Sequence, residues 1–253
     1  MGTGVSWGGV IVLAGLICLG VPITGEAQPS SQTQDFLFGH PRGSISVRGE
    51  WLLAHADGEI FDFTNDLLTL EKADFNAPGI GLNVSVPLGS RLDALVGFDF
   101  TRAFARSEYR DFTDSNDLPI EQQTRLSQIH LAGSVELALI PRGREIGQFT
   151  WIPSSVVPYM GGGGGFLRYQ FEQEGDFVDF FDLLIFSDQL QSSGWTLSTH
   201  VFGGVDIKLT NRLYLSTEAR YVWADAELTQ DFVGFDKIDL SGLRITTGVQ
   251  FSF

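Results

Sequence analysis

The sequence predicts an all-β fold, an eight-stranded antiparallel up-and-down transmembrane β-barrel, on three observations. Apolar residues recur with a period of two, not 3.6, in eight separate segments. The connections between those segments alternate between long and short. The ionisable residues inside the segments share one parity, opposite the apolar rows. The first observation makes strands, the second makes hairpins of one sense, and the third gives each strand two chemically different faces.

The chain opens on a segment of another kind. An apolar run from Val10 to Ile23 precedes Thr24-Gly25-Glu26-Ala27, and the small residues Gly25 and Ala27 suit a signal peptidase. Residues 1–27 are therefore expected to be an export signal cleaved after Ala27, although no Lys or Arg precedes Arg42. A retained anchor is the competing reading, and the run is short for a spanning helix, which needs about 20 residues. Residues 28–41 are expected to form a short periplasmic segment and residues 42–253 the barrel. The single cysteine, Cys18, lies within the signal, so the mature chain carries no thiolate for a metal and no disulfide.

Each strand then follows in order. Residues 45–53 alternate Ile45, Val47, Trp51 and Leu53 with Ser46, Arg48 and Glu50, and residues 80–88 alternate Ile80, Leu82, Val84 and Val86 with Gly81, Asn83 and Ser85. Residues 92–100 set Leu92, Val96 and Phe98 against Asp93 and Asp99, and residues 129–139 set Ile129, Leu131, Val135 and Leu137 against His130 and Glu136. Residues 157–171 place Val157, Tyr159, Leu167, Tyr169 and Phe171 on one row and Met160, Phe166, Arg168 and Gln170 on the other. The last three, 195–209, 213–223 and 243–253, repeat the pattern with Asp206, Glu218, Arg220 and Arg244 on their polar rows. Long acidic loops are expected at 57–77, 105–121, 172–193 and 225–238. Tight turns are expected at 87–90 and 210–212, and the connection 140–155 is too long for that rule.

Two orientations compete. In a soluble lipocalin-like carrier the apolar rows point inward and the charges are solvated. In a membrane barrel the apolar rows meet lipid and the charges must pair in the lumen, because an isolated buried charge costs several kcal/mol. Aromatic residues decide for the membrane. Trp51, Tyr169, Phe171, Trp195, Tyr221 and Trp223 lie toward the long loops, and Tyr159, Phe251 and Phe253 toward the short turns. Two aromatic girdles around an aliphatic band are what a bilayer selects. The lumen network is then expected to comprise Arg48, Glu50, Asp99, Glu136, Arg168, Asp206, Glu218, Arg220 and Arg244. It would act as a salt-bridged plug or, alternatively, line a path.

The run Gly161 to Gly165 lacks the Lys-Ser/Thr of a phosphate loop, and Phe166 stands where a dinucleotide fingerprint needs glycine. It is expected within the fifth strand. Its inward glycines would make room for Phe202 or Arg220, and its outward ones would be covered by neighbouring aromatics.

Three stretches resemble the small outer-membrane β-barrels of bacteria of the OmpW/OmpA-like kind. They are VPYMGGGGGFLRY (157–169), the hairpin HVFGGVDIKLTNRLYLSTEARYVWA (200–224) with Glu218, Arg220 and Tyr221, and the closing GVQFSF (248–253). The resemblance implies the outer membrane of a Gram-negative-type bacterium, a lipid or lipopolysaccharide environment and a monomer. It also implies that the barrel-insertion machinery reads Phe251 and Phe253. A second implication is passage of a small, hydrophobic solute. The segment 176–188 and the connection 140–155 depart from that family. No peptidoglycan-binding domain follows Phe253, so a cell-wall tether is not expected.

Function is less legible than fold. With 16 basic against 31 acidic residues and a net charge of −15, nucleic acid is not expected as a partner. No cofactor, metal or catalytic residue is expected. His130 and His200 are followed by Leu-Ala and Val-Phe and lack a serine partner of the His-x-Ser type, and His55 with Asp57 is a pairing common by chance, so a lipid A-modifying barrel enzyme is the lesser alternative. In segment 176–188, Phe177, Phe180, Phe181 and Phe186 alternate with acidic residues and would form a lid, a ligand gate or an adhesive surface.

Overall fold

The computed structural model describes residues 36–114, 116–146, 150–181 and 184–253. The expected signal and residues 28–35 of the segment after it lie outside them. Eight strands close into one barrel: β1 (Ser44–Ala54), β2 (Ala77–Pro87), β3 (Leu92–Thr113), β4 (Pro119–Ala138), β5 (Val156–Val178), β6 (Ile185–Lys208), β7 (Leu213–Trp223) and β8 (Gly242–Ser252). Each strand pairs antiparallel with its sequence neighbours, and β8 pairs with β1 in the register Phe251 to Ile45 and Thr247 to Gly49. Within the eight-stranded ring closure leaves no open edge, whereas residues 102–113 of β3 and 185–198 of β6, beyond the ring, pair with a barrel strand on one side only.

The strands are of two lengths. Four have 11 residues each, enough for a tilted membrane crossing of about 9–11 residues. β3, β4, β5 and β6 have 22, 20, 23 and 24. They run on past the others on the long-connection side. The loops expected at 105–121 and 172–193 are therefore corrected: they are mostly strand, since β3 runs to Thr113, β4 begins at Pro119, β5 runs to Val178 and β6 begins at Ile185. Asp114 makes the turn between β3 and β4, its carboxylate accepting from the Asn116 and Leu118 amides at 2.7 and 2.8 Å. The extensions lost their alternation in sequence because their outer face, with Arg102, Arg106, Glu121 and Gln123, is polar while their inner face also carries Ser107, Gln122 and Thr124.

The other two long connections fold inward. Residues 55–76 hold α1 (Glu59–Leu67), whose buried Ile60, Phe61 and Thr64 lie on one face, and a tight turn at Lys72–Phe75. Residues 224–241 hold a small two-stranded ladder pairing Asp225 with Asp239 and Ala226 with Ile238. Phe61, Leu70 and Phe75 from the first, and Leu228, Phe232 and Ile238 from the second, pack with Leu52, Leu126, Leu167, Tyr169 and Phe171 of the barrel wall into one apolar core. On the opposite side, Gly143–Ile146, Thr150–Pro153 and Leu37–Phe38 form a separate three-stranded sheet.

The outer face of the barrel is apolar and uncovered. Val96 is 69% exposed and Leu197 71%, with Val47, Ile80, Leu131 and Ile245 also exposed. A soluble monomer rarely shows a contiguous apolar patch above a few hundred Å². Among the described residues no helix is long and apolar enough to cross a membrane. The strands are the crossing elements.

Candidate functional site

The polar rows of the strands meet inside the barrel. Arg48 of β1 bonds Asp99 of β3 at 2.7 Å and Glu218 of β7 at 3.4 Å. Arg220 reaches Glu218 at 2.9 Å and Asp99 at 3.4 Å, and Arg244 of β8 donates to Glu50 and to Gln128, both at 2.9 Å. Three guanidinium groups thus face three carboxylates, so this layer is neutral. It is also filled: Asp99 and His130 are 0% exposed and Arg244 1%. Alternation brings the inner faces of β1, β3, β7 and β8 within reach across a lumen that holds only side chains. Gly81 makes the centre accessible, since a Cβ there would lie 2.7 Å from Arg48 Nε.

A second layer lies toward the short turns and carries a residue that sequence patterning did not select. Arg142, from the connection between β4 and β5, enters the lumen and is shared by three carboxylates: Asp93 at 2.7 Å, Asp206 at 3.0 Å and Glu136. Burial opposes its charge, but Glu136, Asp93 and Asp206 outweigh that and hold its pKa above the ordinary arginine value. No periodicity marks a residue in a connection. The signal that points to it is the excess of acids over bases on the expected lumen rows.

The parity assigned to the fifth strand is corrected. Tyr159, Leu167, Tyr169 and Phe171 face inward and are buried, while Met160, Phe166 and Arg168 face outward. Arg168 therefore belongs to no lumen network. It lies over the Trp195 ring at 6.0 Å on the outer wall. Five consecutive glycines erase the alternation that would have phased the strand, and the apolar core above the lumen reverses the usual rule there. Tyr159, Tyr169 and Phe171 leave the expected girdles accordingly, whereas Trp51, Trp195, Trp223, Phe251 and Phe253 stay on the outer face. Gly161 faces inward beneath the Phe202 ring, as glycine was expected to do for that side chain. At the outward Gly164 a Cβ would meet only the Ser198 carbonyl oxygen within 4 Å, so no aromatic ring lies against it.

His130 donates or accepts at 2.8 Å with Ser198, and Asp99 lies 3.7 Å from its other nitrogen. His200 and Ser134 pair in the same way at 2.8 Å. The curvature of the barrel, which brings the inner faces of β4 and β6 together across β5, supplies these serines. The order Ser198, His130, Asp99 is that of a nucleophile, base and orienting acid. Here the acid is already committed to Arg48 and Arg220, and Ser198 is buried. Among the described residues no group of three His, Cys, Asp or Glu is placed to hold a metal ion.

At the other end, the four phenylalanines of 176–188 do not form one lid. Phe177 is buried, Phe180 and Phe186 are about half exposed, and Phe181 is 98% exposed at the tip. The cover over the barrel is instead the apolar core built by 55–76 and 224–241. Between that cover and the β5–β6 hairpin lies a cavity of about 240 Å³ lined by Phe63, Leu67, Tyr109, Phe177, Phe186 and Phe232 among others.

An apolar exterior around a lumen of paired charges is the inverse of a soluble protein, and a closed barrel satisfies every strand in hydrocarbon. The chain is a transmembrane β-barrel. Solved structures similar to it are outer-membrane barrels. Neisserial surface protein A matches at 11% identity with a TM-score of 0.47, over 83% of this chain and 96% of that one. OprG from Pseudomonas aeruginosa matches at 14% and 0.45, over 85% and 98%. Ail, the attachment invasion locus protein of Yersinia pestis, matches at 14% and 0.43, over 84% and 100%. The likeness is one of fold alone. No protein-family model and no curated protein matches the barrel's sequence.

Proposed function

We propose that the protein is an outer-membrane barrel, of the OmpW/OmpA-like kind, that binds a small apolar solute at its extracellular mouth. One observation carries this reading: an aromatic cavity of about 240 Å³ opens above a lumen that is filled to its core. An apolar cavity in which few polar groups converge selects for shape and hydrophobicity. The solute is held above a neutral, paired layer that favours neither water nor ions, so its onward route is sideways into the bilayer and not down the axis. Phe177 and Phe186, stacked at 5.9 Å, close one side of the cavity. The folded barrel in detergent is expected to bind a neutral aromatic probe such as 1-N-phenylnaphthylamine. Phe177→Ala with Phe186→Ala is expected to weaken that binding about tenfold, and deletion of 176–188 to lower uptake of apolar compounds by cells. Unchanged binding and uptake in both variants overturn the reading.

The 98% exposure of Phe181 supports a second reading, in which the hairpin tip grips a partner surface. Phe181→Ser then abolishes adhesion and leaves probe binding intact.

A further inference from the structure

Basic residues are scarce in this chain, 16 in all, yet four arginines share one stretch of outer wall. Arg102 and Arg106 on β3, Arg125 on β4 and Arg168 on β5 all carry the parity that faces away from the lumen. The registers place them. Phe100 lies opposite Ile129, Ile129 opposite Arg168, and Arg168 opposite Trp195, which makes one row along the top of the apolar band. The next row outward begins at Arg102 and runs through Ser127 to Gln170. Arg102 and Arg168 are thus two strands and two residues apart, about 12 Å between Cα atoms at ordinary sheet spacings. That span lies within the combined reach of two extended arginine side chains.

Carboxylates stand on the same wall, Glu172 and, further out beside Arg106, Glu108, Glu121 and Glu174, but among the described residues none forms an ion pair with Arg102, Arg106 or Arg168. Glu172 is held by Arg125 at 2.8 Å and by Gln170 at 2.6 Å. Arg102 and Arg106 make no ion pair among the described residues, and Arg168 has only the Trp195 ring beneath it. Between them the wall is hollowed by a concavity of about 320 Å³, with Phe100 and Ile129 as its floor. Directly below, Phe98, Leu131, Phe166 and Leu197 continue the apolar surface into the membrane band. The opposite wall differs at the same height: β7, β8, β1 and β2 end on Trp223, Leu243, Leu53 and Pro78, with no basic side chain. A general interfacial girdle would be the same all round.

A pair of free guanidinium groups directly above an apolar groove fits one occupant, an anionic head joined to a hydrocarbon tail. We infer that this wall is a docking site for a lipid carrying a phosphate monoester, with the phosphate between Arg102 and Arg168 and an acyl chain along Ile129 and Phe166. Arginine is the side chain suited to such a group, because its planar fork meets two phosphate oxygens at once. Arg125 stands in the same patch as a positioning residue, since its pairing with Glu172 keeps that carboxylate away from the anion. The inference rests on the membrane-barrel reading and names the lipid face that the reading leaves unspecified.

The test uses the full chain folded in detergent, with bound lipid counted by native mass spectrometry. Three probes are compared: diphosphorylated lipid A, the same lipid stripped of its phosphates, and inorganic phosphate. The phosphorylated lipid is expected to bind at least about tenfold more tightly than the stripped one. Arg102→Gln combined with Arg168→Gln is expected to abolish that preference, while Arg91→Gln on the short-turn side keeps it. Equal binding of both lipids by the unaltered protein, which needs no variant to fold, overturns the proposal. So does inorganic phosphate binding as tightly as the lipid, which would make this a free-anion site. Failure of the membrane reading looks different, because the chain would then stay soluble and monomeric without detergent.

Discussion

Arg168 and Arg220 look equivalent in sequence, each an arginine between apolar neighbours on a strand, and their surroundings are opposite. Arg220 is 2% exposed and paired with Glu218 and Asp99, whereas Arg168 is on the outer wall. Removing one partner from a buried ion network leaves the others uncompensated, at a cost of about 3–5 kcal/mol. Arg220→Ala is therefore expected to lower the melting temperature of the detergent-folded barrel clearly, and Arg168→Ala to leave it unchanged within error. Equal shifts for the two would show that lumen pairing is not what stabilises the barrel. Of the nine residues expected in the lumen, eight were legible because their strands alternate cleanly. Arg168 was not, because Gly161 to Gly165 supply no side chains from which to phase β5. Arg142 was illegible for another reason: it reaches the lumen from a connection, where no period constrains it.

Among the elements, α1 and the ladder at 225–239 were hidden by the same circumstance. Their apolar residues serve a core at the barrel's mouth, not a lipid face, so Ile60, Phe61 and Thr64 read as part of an acidic loop. Phe61 is fully buried and meets Phe75 edge-on at 4.7 Å. Phe61→Ala is expected to cost about 3–5 kcal/mol of local stability, and limited proteolysis should then cut within 55–76 while the barrel remains intact. The connection 224–241 is tied to the end of β1 by Asp239, which pairs with His55 at 2.5 Å and also accepts from the Ser241 amide at 2.8 Å. Burial works against the charge of Asp239, but Ser241 and His55 outweigh it and depress its pKa below the ordinary 3.8. A depressed carboxylate stabilises the fold above its unfolded pKa and loses that contribution as pH falls through the folded value. The protection factor of the Ser241 amide, its exchange rate divided into the intrinsic rate at the same pH, should therefore be high at neutral pH and fall only as the pH drops below the ordinary carboxylate range. A protection factor that stays the same on acidification would show that Asp239 does not hold this connection.

For the whole molecule, the decisive property is that its inside and outside are exchanged relative to a soluble protein. A barrel of eight strands has no room for a water-filled channel once its side chains are placed, and here the neutral layer and the apolar core occupy the lumen in succession. Planar bilayers holding the purified protein are expected to show no steady porin-like conductance, with Arg142→Ala and its three acids unpaired giving at most brief openings. A steady pore in the unaltered protein would contradict the sealed lumen. The sequence by itself determined the strand count, the order, the membrane-facing rows of every strand but β5 and most of the charged interior. Each follows from period-two alternation, which is local and survives without knowledge of neighbours. Tertiary structure alone decided the length of β3 to β6, the facing of β5, the entry of Arg142 and the covered mouth. In those places side chains answer to partners far along the chain, where water or a second core replaces lipid and the alternation loses its meaning.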